Sequence, residues 1–165
     1  MGSDLSCQSF NKEIKKSVLE LPDEKVSGFE TSIDFSRDDV RLNWWKYAKK
    51  FSLPKNQRTH YEVTIPSTDS SKPMTIFTQA LGEEKPIKFK LAVANKEMTE
   101  EEKSKFEKQA QFLLLDFKRW VYLRHYEEQL KKLEQKLPSK SSTNWNTWID
   151  FIEKRNQILS KMKEI

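Results

Sequence analysis

The chain carries one cysteine, two histidines and three glycines in 165 residues. Each scarcity removes a class of chemistry. A lone Cys7 cannot close an intrachain disulfide, and secreted chains of this size usually hold cysteines in even sets. The expected compartment is therefore intracellular and reducing, nuclear or cytoplasmic, and the protein is not expected to be secreted. Zinc sites draw on spaced Cys and His pairs, which Cys7, His60 and His125 do not supply, so no metal is expected. Gly2, Gly28 and Gly82 stand far apart, which leaves no glycine-rich loop to cradle a nucleotide phosphate. No apolar run approaches the roughly 20 residues of a membrane helix, and no signal-peptide core is visible, so a soluble chain without integral membrane association is expected.

Catalysis finds little support either. Nucleophilic chemistry needs a Ser or Cys beside a histidine and an orienting acid. His125 lies mid-helix between Arg124 and Tyr126 with no such partners in its pattern. The sequence reads as a non-enzyme with no cofactor and no small-molecule substrate. At the start, Met1-Gly2-Ser3-Asp4-Leu5-Ser6 fits the N-myristoylation template with Cys7 beside it, a pattern short enough to arise by chance.

Charge is what the sequence has in plenty, and its placement is uneven. One residue in three is charged and the net charge is +5. Residues 1–39 nevertheless hold nine acidic side chains against five basic, a net of −4, so the remainder stands at +9. Within it, residues 40–61 contain Arg41, Lys46, Lys49, Lys50, Lys55 and Arg58 and no acid. Trp44, Trp45, Tyr47 and Phe51 are interleaved with them. Unopposed cations among aromatics suit phosphate-backbone contact with base stacking, and these six are the candidate nucleic-acid-binding residues.

Periodicity predicts an α+β chain, mostly helical. Phe10, Ile14 and Val18 recur every four residues and predict a short helix over 9–20, ended by Pro22, with a loop over 22–36. Ser36 followed by Asp39 resembles a capping box and opens a second helix that runs to about Phe51. Residues 60–65, 74–81 and 87–93 are rich in β-branched and aromatic side chains between turn residues, which predicts a small antiparallel β-meander. Lys88 and Lys90 alternate with apolar residues and would extend the basic surface if the sheet lay beside the second helix.

A long helix is expected over about 99–136, capped by Thr99 and started by three glutamates. Phe106, Ala110, Leu113, Phe117, Trp120 and Val121 share one face, whereas Tyr122, Tyr126, Leu130, Leu133 and Leu137 share the opposite one. A continuous helix with that switch meets two different surfaces, so the second set is the candidate partner-binding face. Leu123, Leu130 and Leu137 also recur every seven residues, as in a short coiled-coil seam. Residues 138–144 read as a polar linker. A final helix with Trp145, Trp148, Ile149, Ile152, Leu159 and Met162 on one stripe is expected to fold back on the long helix as an αα-hairpin. The domains are then an acidic arm over 1–39, a basic helix with the meander over 40–95, and a helical hairpin over 96–165.

Residues 96–110, Lys-Glu-Met-Thr-Glu-Glu-Glu-Lys-Ser-Lys-Phe-Glu-Lys-Gln-Ala, resemble the start of the third helix of HMG-box DNA-binding domains. The match spans fifteen residues, Asn95 stands where such boxes carry Trp, and no residue role is transferred. The functional expectation is a non-catalytic accessory subunit of a multiprotein assembly that touches DNA or RNA through 40–61 and docks other protein subunits on the long helix. The alternative is a purely structural, scaffolding helical subunit without nucleic-acid contact.

Overall fold

The computed structural model describes residues 10–66, 73–137 and 145–165; the Gly2 template, Cys7 and the 138–144 linker lie outside the described residues. The chain is α+β, with one six-stranded antiparallel sheet and three helices. It divides into two compact units. One is Lys12–Lys118; the other is Arg119–Ile165 with the start of the chain through Asn11.

The first unit is built on the sheet. Its strands are β1 (Lys15–Glu20), β2 (Lys25–Ile33), β3 (Lys55–Asn56), β4 (Tyr61–Ile65), β5 (Met74–Leu81) and β6 (Ile87–Val93), in the spatial order β1-β2-β6-β5-β4-β3. Two expectations fail here. The short helix over 9–20 is β1, and the loop over 22–36 is β2, so the sheet holds twice the strands of the meander and the chain is mixed rather than mostly helical. The physical reason is pairing. β1 and β2 form a six-pair ladder from Lys15 opposite Glu30 to Glu20 opposite Lys25, and Leu21 N–H donates to the Glu24 carbonyl at 2.8 Å across the turn. Pro22 sits in the turn, where its fixed φ is useful, and is not a helix terminator. The three-residue 4-spaced stripe is too short to hold a helix against that ladder. Residues expected in an acidic arm thus belong to the same sheet as 55–93, since β2 also pairs with β6.

The three strands predicted from β-branched runs are β4, β5 and β6, with the expected bounds except that β4 starts at Tyr61, one residue after His60. Helix α1 (Arg37–Ala48) also starts as the capping box requires, because Ser36 Oγ accepts from Asp39 N–H at 3.2 Å. It lies on the sheet face that carries Phe29, Thr31 and Ile33 of β2 and Phe89 and Leu91 of β6. Trp44 of α1 meets Phe89 at a ring separation of 5.4 Å. On the opposite face, a smaller cluster joins Leu19, Val26, Phe77 and Ala92, flanked by Leu21 and Ala94. Lys88 and Lys90 point to that opposite face, because they alternate with Phe89, and Lys90 Nζ donates to the Val18 carbonyl at 2.9 Å. They therefore do not extend the basic surface of α1.

Helix α2 (Glu100–Gln135) is unbroken and is shared between the units. Thr99 Oγ1 accepts from Glu102 N–H at 3.2 Å while the Glu102 carboxylate reaches back to Thr99 N–H at 3.4 Å, a reciprocal capping box. Its buried positions are Phe106, Ala110, Leu114 and Phe117, then Lys118, Val121, Tyr122 and Tyr126. At 100° per residue the buried direction has moved about half a turn between Phe106 and Tyr126. The predicted change of face is real, and Leu114 takes the buried place expected for Leu113. In the second unit, the later half of α2 accompanies α3 (Trp145–Lys163), whose buried residues are Phe151 and Ile158 and not the expected stripe, since Trp145, Trp148 and Leu159 are exposed. Among the described residues no helix is long and apolar enough to cross a membrane.

Candidate anion-binding surface

The six candidate cations all fall in the sheet unit: Arg41 and Lys46 on α1, Lys49 and Lys50 in the turn that follows it, and Lys55 and Arg58 on the β3–β4 hairpin. Lys46, Lys49, Lys50, Lys55 and Arg58 are exposed and Arg41 is half-buried. Arg41, Lys46, Lys49, Lys55 and Arg58 make no ion pair with a described carboxylate, in contrast to Lys15, Lys25, Lys96, Lys103 and Lys154, which do. An exposed cation with no acidic neighbour keeps its full field for an outside anion.

The interleaved aromatics do something other than the expected stacking. Trp44 and Tyr47 are 1% and 3% exposed, so neither presents a ring to a base. Trp44 packs edge-on against Phe117 at 5.0 Å, and Tyr47 lies 5.3 Å from the same ring. The reason is helical phase: residues 40, 44, 47 and 48 form the side of α1 that faces the sheet, and all four are buried. Trp45 is half-buried and Phe51 is 38% exposed, and three rings of this surface hold cations in place. Lys49 Nζ sits 4.7 Å above the Trp45 ring, Lys50 Nζ 5.6 Å from Tyr47, and the Arg41 guanidinium 5.6 Å above Tyr61.

Tyr47 also anchors α1 to α2. Its hydroxyl donates to Asp116 Oδ2 at 2.6 Å. Burial, then the carboxylate beside it, push the phenol far above its ordinary pKa of 10.0. The neutral phenol is thus the form that the fold stabilises, in full below pH 10.0 and less so above it. Tyr47→Phe removes one charge-assisted bond to a carboxylate that stays in water. The expected loss is about 1–2 kcal/mol in urea unfolding at pH 7.

Where α1 leaves the sheet, a cavity of about 270 Å³ opens beside β4, β5 and β6. Thr78, Ala80, Phe89 and Trp44 line its interior, and Arg37, Arg41 and Arg58 line it as well. Only Arg41 and Arg58 of these belong to the basic run. Arg37 falls outside it, though its i,i+4 spacing from Arg41 was a legible sign that both lie on one side of α1. Thr78 and the cavity itself had no sequence signal, because they depend on which strands pair.

The candidate partner-binding residues lie in the second unit. Tyr122 and Tyr126 are buried within the chain at 2% and 1% exposure, and Tyr122 meets Phe10 edge-on at 5.2 Å. Leu130, Leu133 and Leu137 are half-buried. The surface that this face offers outward is therefore the leucines alone. Phe112 and Trp145 are the conspicuous exposed apolar side chains, at 77% and 73%. Among the described residues no group of three or more His, Cys, Asp or Glu side chains is placed to hold a metal ion. Compared with known proteins, the chain matches no family model, no curated protein and no solved structure.

Proposed function

We propose that the chain is a non-catalytic accessory subunit that contacts nucleic acid through Arg41, Lys46, Lys49, Lys50, Lys55 and Arg58, while its helical unit docks on protein partners. One observation carries the reading: these cations sit on α1, the turn that follows it and the adjoining hairpin, and five of the six have no carboxylate partner among the described residues. With Trp44 and Tyr47 in the core, the mode that this favours is phosphate contact, not base stacking. Such binding is sequence-tolerant and strongly salt-dependent, because each contact releases counterions.

Titration of the full chain with duplex and single-stranded DNA and with RNA, at several salt concentrations, tests it. Full engagement of the six cations gives a log–log salt slope near −5 on duplex DNA, at about −0.9 per phosphate. The combined variant Lys46→Ala, Lys49→Ala, Lys50→Ala lowers that slope by about 3 in magnitude. No binding at low salt, or a slope that the triple variant leaves unchanged, overturns the proposal.

Docking rests on the helical unit. Burial of Phe151 and Ile158 supports α3 folding back along α2 as an antiparallel pair, and Leu130, Leu133 and Leu137 with the exposed Trp145 supply apolar surface for a partner. The purely scaffolding alternative draws on the same surface, and it is the reading left standing if the salt titration fails.

A further inference from the structure

We infer that the cavity between α1 and the β3–β4 hairpin is a binding site for a phosphomonoester, held by Arg37, Arg41 and Arg58. Arg41 and Arg58 are shared with the nucleic-acid reading, but the site does not require it, since small phosphorylated molecules carry the same group.

The charge of the cavity is the first argument. Three guanidinium side chains line it, and among the described residues no carboxylate does. A second cavity, lined by Glu24 and Lys96 among others, makes the contrast: there Lys96 is matched by Glu24 at 2.6 Å, so its charge is already answered within the fold. Arg37 and Arg41, one helical turn apart, repel each other, and Arg58 adds a third positive charge from the hairpin. A dianion relieves all three. Guanidinium forks match phosphate oxygens bidentately, which is the geometry a terminal phosphate can use and a chain-internal phosphodiester uses less fully.

The second argument comes from polar groups without partners. Trp44 Nε1 and Thr78 Oγ1 are buried and make no hydrogen bond, and both residues, each 1% exposed, line this cavity. An unsatisfied buried donor costs about 1–3 kcal/mol, so a ligand that draws these two side chains toward the cavity recovers part of that cost. Trp44 supplies a donor and Thr78 a hydroxyl that donates or accepts, which suits the oxygens of a phosphate ester.

The third is how the arginines are held. Arg58 is the one described non-glycine residue with positive φ, at 71°. The Asn56 side chain accepts its N–H at 2.9 Å, and Gln57 N–H donates to the His60 carbonyl at 2.9 Å, closing the turn around it. That conformation costs about 1–2 kcal/mol for a side chain of this kind, and the fold tolerates it where Arg58 reaches the cavity. Arg41 is steadied over the Tyr61 ring at 5.6 Å, and both residues line the cavity. A volume of about 270 Å³ has room for a phosphate group and what is attached to it.

The test uses the full chain at fixed ionic strength set with chloride. Calorimetric titration is run with inorganic phosphate, with a sugar phosphate, and with one oligonucleotide bearing either a 5′-phosphate or a 5′-hydroxyl. Saturable binding of inorganic phosphate or the sugar phosphate is expected. Arg58→Gly, which suits positive φ and keeps the fold, and the near-isosteric Thr78→Val should each weaken it about tenfold or more, as loss of one hydrogen bond to a charged group implies. Lys16→Ala, exposed on β1 and outside the cavity, should leave it unchanged. Tighter binding of the 5′-phosphorylated oligonucleotide assigns the group to a nucleic-acid end; equal binding of both oligonucleotides alongside phosphate binding assigns it to a small molecule. Phosphate binding without any oligonucleotide binding supports this site while defeating the nucleic-acid reading. Absence of saturation with phosphate and sugar phosphate, or affinities that Arg58→Gly leaves intact, overturns the site.

Discussion

Gly28→Ala is expected to lose about 3 kcal/mol or more of stability, enough to unfold a marginal domain, because overpacking here has no flexible neighbour to move. Gly28 lies in the middle of β2 opposite Ser17 of β1. A β-carbon built there would stand 2.7 Å from Ala92 Cβ and 2.9 Å from Ala92 Cα, and closer still to the Leu91 carbonyl oxygen. These belong to β6, the strand hydrogen-bonded to β2 on its other side. Relief requires parting β2 from β6, which carry the central ladder. Its φ is not positive, so the need for glycine is steric and not conformational. The double variant Gly28→Ala, Ala92→Gly should recover less than half of the loss, since the clashes with Leu91 and with Ala92 Cα persist. Urea unfolding of the three proteins decides it; a Gly28→Ala variant within about 0.5 kcal/mol of the parent, the range of neutral surface changes, would mean that β2 and β6 are not packed this closely.

That glycine also explains where the sequence misled. Phe29, Thr31 and Ile33 alternate with Glu30 and Ser32 as a half-buried strand should, yet Gly28 among polar residues reads as a loop. The close approach that makes it a strand residue comes from β6, some sixty positions along the chain. β1 is misread for a related reason: Phe10, Ile14 and Val18 match a helical period, but Val18 is 44% exposed and Leu19, off that stripe, is the residue fully buried. By contrast α1, β4, β5, β6 and the start of α2 carry their own signals, in capping residues and in runs of matching period, although α1 ends at Ala48 and not near Phe51 as its apolar spacing suggested. The candidate site divides the same way. The basic run was legible because charge needs no partner to be seen. The burial of Trp44 and Tyr47 was written in the α1 stripe, which assigned them to the core even as composition suggested stacking. The cavity that joins Arg37 to Arg58 and Thr78 was not legible, since it is made by the crossing of α1 with three strands.

The largest effect of a charge change is expected at Lys118, not on the basic surface. Lys118 is 2% exposed, and its ammonium donates to Thr31 Oγ1 at 3.1 Å, which in turn donates to the Glu13 carbonyl at 3.0 Å. Burial lowers its pKa from 10.5 to about 8, against the opposing pull of Glu13. The sign follows from proton counting. Between about pH 8 and 10.5 the unfolded chain keeps the proton that the folded chain has lost, so the contribution of Lys118 to stability rises with pH across that window. Below it both states are protonated and the burial penalty is constant, at about 3 kcal/mol for a shift of this size. Lys118→Met retains the aliphatic volume and discards the charge, while Thr31 keeps its own bond to Glu13. The variant is expected to be about 1–3 kcal/mol more stable at pH 7, part of the gain being offset by the lost hydrogen bond. Its advantage should shrink steadily above pH 8. Tyr47 acts in the opposite sense only above pH 10.0, so the interval between the two isolates Lys118. Parallel stability curves for parent and variant from pH 7 to 10 would show that the lysine is solvated and that α2 does not press it against β2.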